Sequence, residues 1–125
     1  MRPGLELLGE QVGPGEAVRK HAIYQVRLRM WLSRGDLVRW TAPWGLVSQA
    51  TLEDDGSTLI TDVRIDRVFL IAGLFYGIQG MRIGGTRLLR VAPHLAYGET
   101  GVPGTIPPNA LLKVEVTILA EHSSV

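Results

Sequence analysis

Of the 125 residues, those able to act as nucleophile, base or metal ligand are few, and their spacing serves none of the familiar reactions. Ser33, Ser48 and Ser57 lack the Gly-x-Ser-x-Gly setting that lifts a serine out of a strand-to-helix turn for attack. There is no cysteine, which removes disulfides, thiolate metal sites and a thiol nucleophile together. His21, His94 and His122 lie far apart and in no metal-ligand spacing; His94, flanking a long loop, has the best functional claim of the three. Glu53, Asp54 and Asp55 miss the calcium-loop pattern and read as a solvated turn. The glycines at 73, 77, 80, 84 and 85 lack the Gly-Lys-Ser/Thr ending of a phosphate loop and fall within and after a helical pattern, not before one. Neither a metal nor a cofactor is expected.

What stands out instead is a loop carrying one tyrosine. From Pro93 to Pro108 the chain is dense in turn formers, with Gly98, Gly101, Pro103, Gly104 and Pro107 following Tyr97, a composition that argues against both helix and ladder pairing. Leu112, Val114, Val116 and Ile118 then alternate with Lys113, Glu115 and Thr117, the pattern of a half-buried strand. A structureless loop of this length in a compact domain is more often functional than idle.

The elements that must hold this loop can be read from periodicity. Leu5–Val12, closed by Gly13-Pro14-Gly15, suggests an edge strand and turn. Tyr24, Val26, Leu28 and Met30 alternate with Gln25, Arg27 and Arg29 in a second strand, and Ser33-Arg34-Gly35 turns it into a hairpin with residues 36–40. Asp55-Gly56 signals another hairpin, whose return leg, 58–65, sets Leu59, Val63 and Ile65 on one side. Leu70, Leu74, Ile78 and Met81 form a helical stripe over 70–81, with Gly73, Gly77 and Gly80 beside it for close approach to a sheet. Thr86–Val91 is a strand that Pro93 stops. The fold class is therefore α+β, a mainly antiparallel sheet curved over one short helix.

Composition bounds the rest. The length suits a single domain, residues 1–125, with an inserted hairpin or long loop at about 41–61. The most apolar run, Val68–Ile78, is eleven residues, too short for a membrane span of about twenty, and reads as a buried element. The first ten residues hold no apolar segment of signal-peptide length, so a soluble, cytoplasmic protein is expected. A formal charge of +1 points to no nucleic-acid or membrane partner, and the arginines of 19–39 read as a solvated strand face.

The run LAYGETGVPGTIPPNALL (Leu95–Leu112), with Gly-Met-Arg-Ile-Gly-Gly before it (Gly80–Gly85), resembles the signature of the FKBP-type peptidyl-prolyl cis-trans isomerases, the macrolide-binding immunophilins. The match is gap-free from about Leu70 onward and weak upstream. It implies an FKBP-like fold and catalysis of Xaa-Pro bond rotation, assisting protein folding, in proline-containing peptides or unfolded proteins. That reaction needs no acid, base or nucleophile. Its barrier, roughly 18–20 kcal/mol, is the loss of amide resonance, and a dry apolar cavity favours the less polar twisted amide over the planar one.

By the same resemblance Tyr97 is the catalytic residue, its hydroxyl donating to a substrate carbonyl. The Ile71 N–H binds a second carbonyl, Leu70 and Ile106 form apolar walls, and Val102–Pro108 is the flap over the proline. Leu74 stands where the family places a floor tryptophan and Val114 where it places a phenylalanine. Leu28 replaces a tyrosine, Val38 and Arg39 a Phe-Asp pair, Val102 a histidine and Thr105 an isoleucine. These changes imply a roomier pocket and weak macrolide binding, with Trp40 or Trp44 as a substitute wall. The alternative is a catalytically weak or inactive FKBP-like module that binds protein partners.

Overall fold

The computed structural model describes residues 2–40, 51–68 and 70–122. The described residues form six strands, all paired antiparallel: β1 (Leu5–Gln11), β2 (Ile23–Leu32), β3 (Thr51–Glu53), β4 (Thr58–Arg64), β5 (Thr86–Val91) and β6 (Leu112–Glu121). Their order across the sheet is β1-β5-β6-β2-β4-β3, so the last strand in sequence sits between β5 and β2. Tyr24, Val26, Leu28 and Met30 of β2 and Leu112, Val114, Val116 and Ile118 of β6 bury on one face, as their period of two requires. At such positions burial supplies roughly 1.5–3 kcal/mol per large aliphatic side chain.

The expected hairpins form, with differences that have local causes. After β2 the turn closes through the Gly35 N–H on the Leu32 carbonyl (2.8 Å), but the return leg is no strand, only a bridge between Trp31 and Leu37. The second hairpin turns through three residues with positive φ, Asp54, Asp55 and Gly56, and the Asp54 carboxylate accepts from the Thr58 hydroxyl at 3.0 Å. Of the segment expected as an insertion, 41–50 lies outside the described residues. Residues 51–61 belong to the common sheet, where β4 pairs with both β2 and β3.

The one α-helix among the described residues, α1 (Ala72–Ile78), is shorter than the 70–81 pattern. Ile71 offers no side-chain cap at its start, and Gly80 (φ +83°) diverts the chain after its end. Leu70, Leu74, Ile78 and Met81 are buried as a stripe. The glycines do what their spacing suggests: a Cβ on Gly73 would lie 2.3 Å from Val91 Cγ1, and one on Gly77 would lie 2.4 Å from Leu89 Cδ1. The helix backbone therefore rests directly on β5. Arg87 fixes it there, donating to the Gly77 and Gln79 carbonyls at 2.9 and 2.6 Å while paired with Glu10 of β1. A guanidinium at a helix C-terminus also complements the helix dipole.

Val68, expected inside, is 85% exposed, because the buried stripe begins only at Leu70. No helix among the described residues is long and apolar enough to cross a membrane.

Candidate functional site

The long loop leaves β5 through a single 3₁₀ turn, Pro93–Leu95, and Leu95 buries beneath it. Far from being free of pairing, the loop then ties itself together. The Gly101 N–H donates to the Tyr97 carbonyl at 3.0 Å and the Asn109 N–H to the Gly98 carbonyl at 2.8 Å. Val102 and Ile106 exchange both backbone hydrogen bonds, each 2.8 Å, in a two-residue ladder around Pro103-Gly104. Gly104 has φ +78°, which suits the turn position after a proline. The expectation that turn formers exclude ladder pairing fails here because the prolines, at 103, 107 and 108, lie outside the two paired positions.

Tyr97, near the start of this loop, is half-buried. Its ring meets that of Trp40 edge-on, with centroids 6.4 Å apart and planes at 60°. An edge-to-face pair of this kind adds about 0.5–1.5 kcal/mol beyond area burial. Trp40 is 5% exposed, and its backbone N–H donates to the Gly56 carbonyl at 2.8 Å, so the turn of the second hairpin holds the main chain at this position. Trp44, the other tryptophan considered as a wall, lies outside the described residues.

Burial pushes the Tyr97 hydroxyl up to about 12. The protonated phenol, a hydrogen-bond donor, is therefore the form present throughout the neutral range. The folded-state value exceeds the ordinary value of about 10, so the associated stability is complete below pH 10 and is lost as pH rises towards 12. Absorbance titration of tyrosinate should show a transition near pH 12 that disappears in Tyr97→Phe.

The remaining candidate residues converge on one core. Val38, Leu70, Leu74, Val102, Ile106 and Val114 are all nearly fully buried and belong to a single apolar cluster, against which Ile71 and Tyr97 pack as half-buried members. Ile71 precedes α1 in extended conformation, and its N–H has no acceptor among the described residues. Trp40, one of the two tryptophans expected as a substitute wall, stands beside the tyrosine. Its signal in the sequence was only that a tryptophan followed the first hairpin. His94 is exposed and turned away from this cluster: a Cβ on Gly4 would lie 2.4 Å from its ring. No group of three or more metal-ligating side chains occurs among the described residues, which include Glu53, Asp54 and Asp55.

The stretch that carries α1, Tyr97 and the self-tied flap falls within residues 48–119, which match the family model for FKBP-type peptidyl-prolyl cis-trans isomerase. The chain belongs to this family. It is 37% identical over 94 residues to the peptidyl-prolyl cis-trans isomerase FPR2 of Saccharomyces cerevisiae, covering 72% of this chain and 68% of that FKBP. It is 46% identical over 59 residues to the chloroplastic peptidyl-prolyl cis-trans isomerase FKBP16-4 of Arabidopsis thaliana, covering 47% of this chain and 25% of that protein. The chain thus spans about a quarter of one relative's length and about two thirds of the other's. Among solved structures, AtFKBP13 shares the fold, with a TM-score of 0.68 at 23% identity over 94% of this chain and 91% of that one.

Proposed function

We propose that this FKBP-type chain catalyses cis–trans rotation of Xaa-Pro bonds in peptides and unfolded proteins, with Tyr97 as the polar group of an otherwise apolar site. The observations that carry the reading are the Tyr97–Trp40 pair and the Val102–Ile106 flap in the same loop as Tyr97. A phenol held protonated by burial donates to a carbonyl of the bound chain. The Ile71 N–H supplies a second donor at the mouth of α1. Val38, Leu70, Leu74, Val102, Ile106 and Val114 make the surroundings apolar. As the imide bond twists, its carbonyl oxygen loses negative charge and its nitrogen localises a lone pair. The twisted amide is therefore less polar, and excluding water costs it less than the planar ground state. Two donors, the Tyr97 hydroxyl and the Ile71 N–H, hold the bound chain, and the rotation proceeds without covalent chemistry.

Such a site shortens proline steps that take tens to hundreds of seconds unaided, which is the basis for a role in protein folding. Macrolides are proposed to bind weakly, since Leu74 and Val114 stand where the family resemblance places pocket aromatics. A cytoplasmic location belongs to the same proposal and is checked by cell fractionation.

The test is NMR exchange spectroscopy on a short prolyl peptide. Wild type should accelerate exchange, and Tyr97→Phe should reduce the acceleration roughly two- to tenfold, the worth of one neutral hydrogen bond of about 0.5–1.5 kcal/mol. No acceleration at high protein concentration sinks the reading.

A further inference from the structure

The flap also borders the turn that follows β2. Between Ile106–Pro108 and the pair Leu32 and Arg34 lies a cavity of about 520 Å³. A second, of about 260 Å³, shares Arg34 and Pro108 with the first and extends to Leu111. A third, of about 360 Å³, shares Leu32 and Leu111 with the second and ends at Arg90 and Lys113. Shared walls make the three a continuous trough, running from the flap to the starts of β6 and the end of β5. Each compartment is of the size that takes a few side chains, and together they suit an extended chain.

The charge of this trough is one-sided. Arg34, Arg90 and Lys113 line it, and no carboxylate does. Arg34 pairs with Asp36 and Arg90 with Glu6, but both pairs are solvent-exposed and their net worth is small. Lys113 enters no ion pair among the described residues; its ammonium lies 5.3 Å from the centroid of the Trp31 ring. The apolar walls, Leu32, Ile106, Pro107 and Leu111, favour a chain that also carries aliphatic side chains.

We propose that this trough is a second binding site, taking an acidic, extended stretch of the same client whose proline occupies the pocket. The inference rests on the isomerase reading for its occupant. Ile106 links the two sites, since it is buried in the apolar cluster and also walls the trough, so the flap is the partition between them. Such a site selects clients by the charge of the segment beside the proline, which the pocket itself does not read.

The experiment compares three peptides sharing one prolyl core: the core alone, the core extended by an Asp/Glu- and Leu-containing tail, and the same tail with Gln and Asn in place of the acids. Amide chemical shifts and exchange rates are recorded for wild type and for the double variant Arg34→Gln, Lys113→Gln. The acidic peptide is expected to bind wild type roughly three- to tenfold more tightly than its neutral twin, as two exposed charge pairs allow. Its shifts should reach Leu32, Thr105 and Lys113, and the advantage should fade with added salt and vanish in the double variant. Equal affinity for the two tails overturns the proposal, as do shifts confined to the pocket. Tighter binding of a single-stranded oligonucleotide at the same residues also overturns it, in favour of a nucleic-acid site. The core peptide serves as the separate control: absence of catalysed exchange there overturns the isomerase reading alone, because trough binding is read from shifts.

Discussion

Gly101→Val should yield a folded protein whose proline isomerisation is at least roughly tenfold slower than wild type. Gly101 has φ +63°, where a residue with a Cβ pays about 1–2 kcal/mol. A Cβ there would lie 2.4 Å from the Ile106 carbonyl oxygen and 2.8 Å from the Pro107 carbonyl carbon and oxygen. These are backbone atoms, which cannot rotate aside as a side chain can. The Val102–Ile106 ladder must open, and with it the wall over the apolar cluster. The tenfold loss corresponds to about 1.4 kcal/mol of transition-state stabilisation removed when the flap opens. The sheet and α1 lie outside the loop, so thermal unfolding should remain cooperative. Gly104→Ala is the control: φ is +78°, but nothing lies within 4 Å of the added Cβ, so only the backbone strain is paid. Equal rates for Gly101→Val and wild type would show that the flap takes no part in catalysis.

The second large effect is at Trp40. Truncation to alanine should cost about 3–5 kcal/mol of stability, the usual range for a buried tryptophan, and should also weaken peptide binding by removing the ring beside Tyr97. Because an unfolded fraction also lowers activity, Trp40→Phe separates the two effects. It retains an aromatic edge and the main-chain hydrogen bond to Gly56, so chemical denaturation should show most of the stability restored. If Trp40 walls the site, exchange catalysed by Trp40→Phe at equal folded concentration stays below wild type, and a saturating prolyl peptide perturbs the Trp40 indole resonance in the native protein. An indole resonance indifferent to the peptide would remove Trp40 from the site.

How far these features could be read from the sequence depended on whether their cause is local. The alternation of β2 and β6 and the end of β5 at Pro93 follow from period and from proline chemistry, and they appear where expected. So does the contact of Gly73 and Gly77 with β5, since small residues four apart on a helix leave only one use for the space. Features decided between distant segments were not legible. Helix length was overestimated because an apolar stripe does not show where capping fails, and Val68 looked like core although the stripe starts two residues later. Arg87, which holds the helix end from another strand, carried no signal beyond its charge. In the site, the tyrosine and its flap were marked by resemblance. The meeting of Trp40 with Tyr97, 57 positions apart, is a contact between distant segments that no local pattern announces.

The place of β6 between β5 and β2 governs the order in which this domain can assemble. β2 with β4 and β3 makes one set of neighbours, and β1 with β5 makes another; they share no ladder until residues 112–121 lie between them. The two sets therefore cannot join into one sheet until residues 112–121 take their place between them. Closing contacts of such long sequence separation is slow compared with helical folding. The protein proposed to hasten other chains through their slow steps should itself fold late and all at once, with β6 as the closing strand.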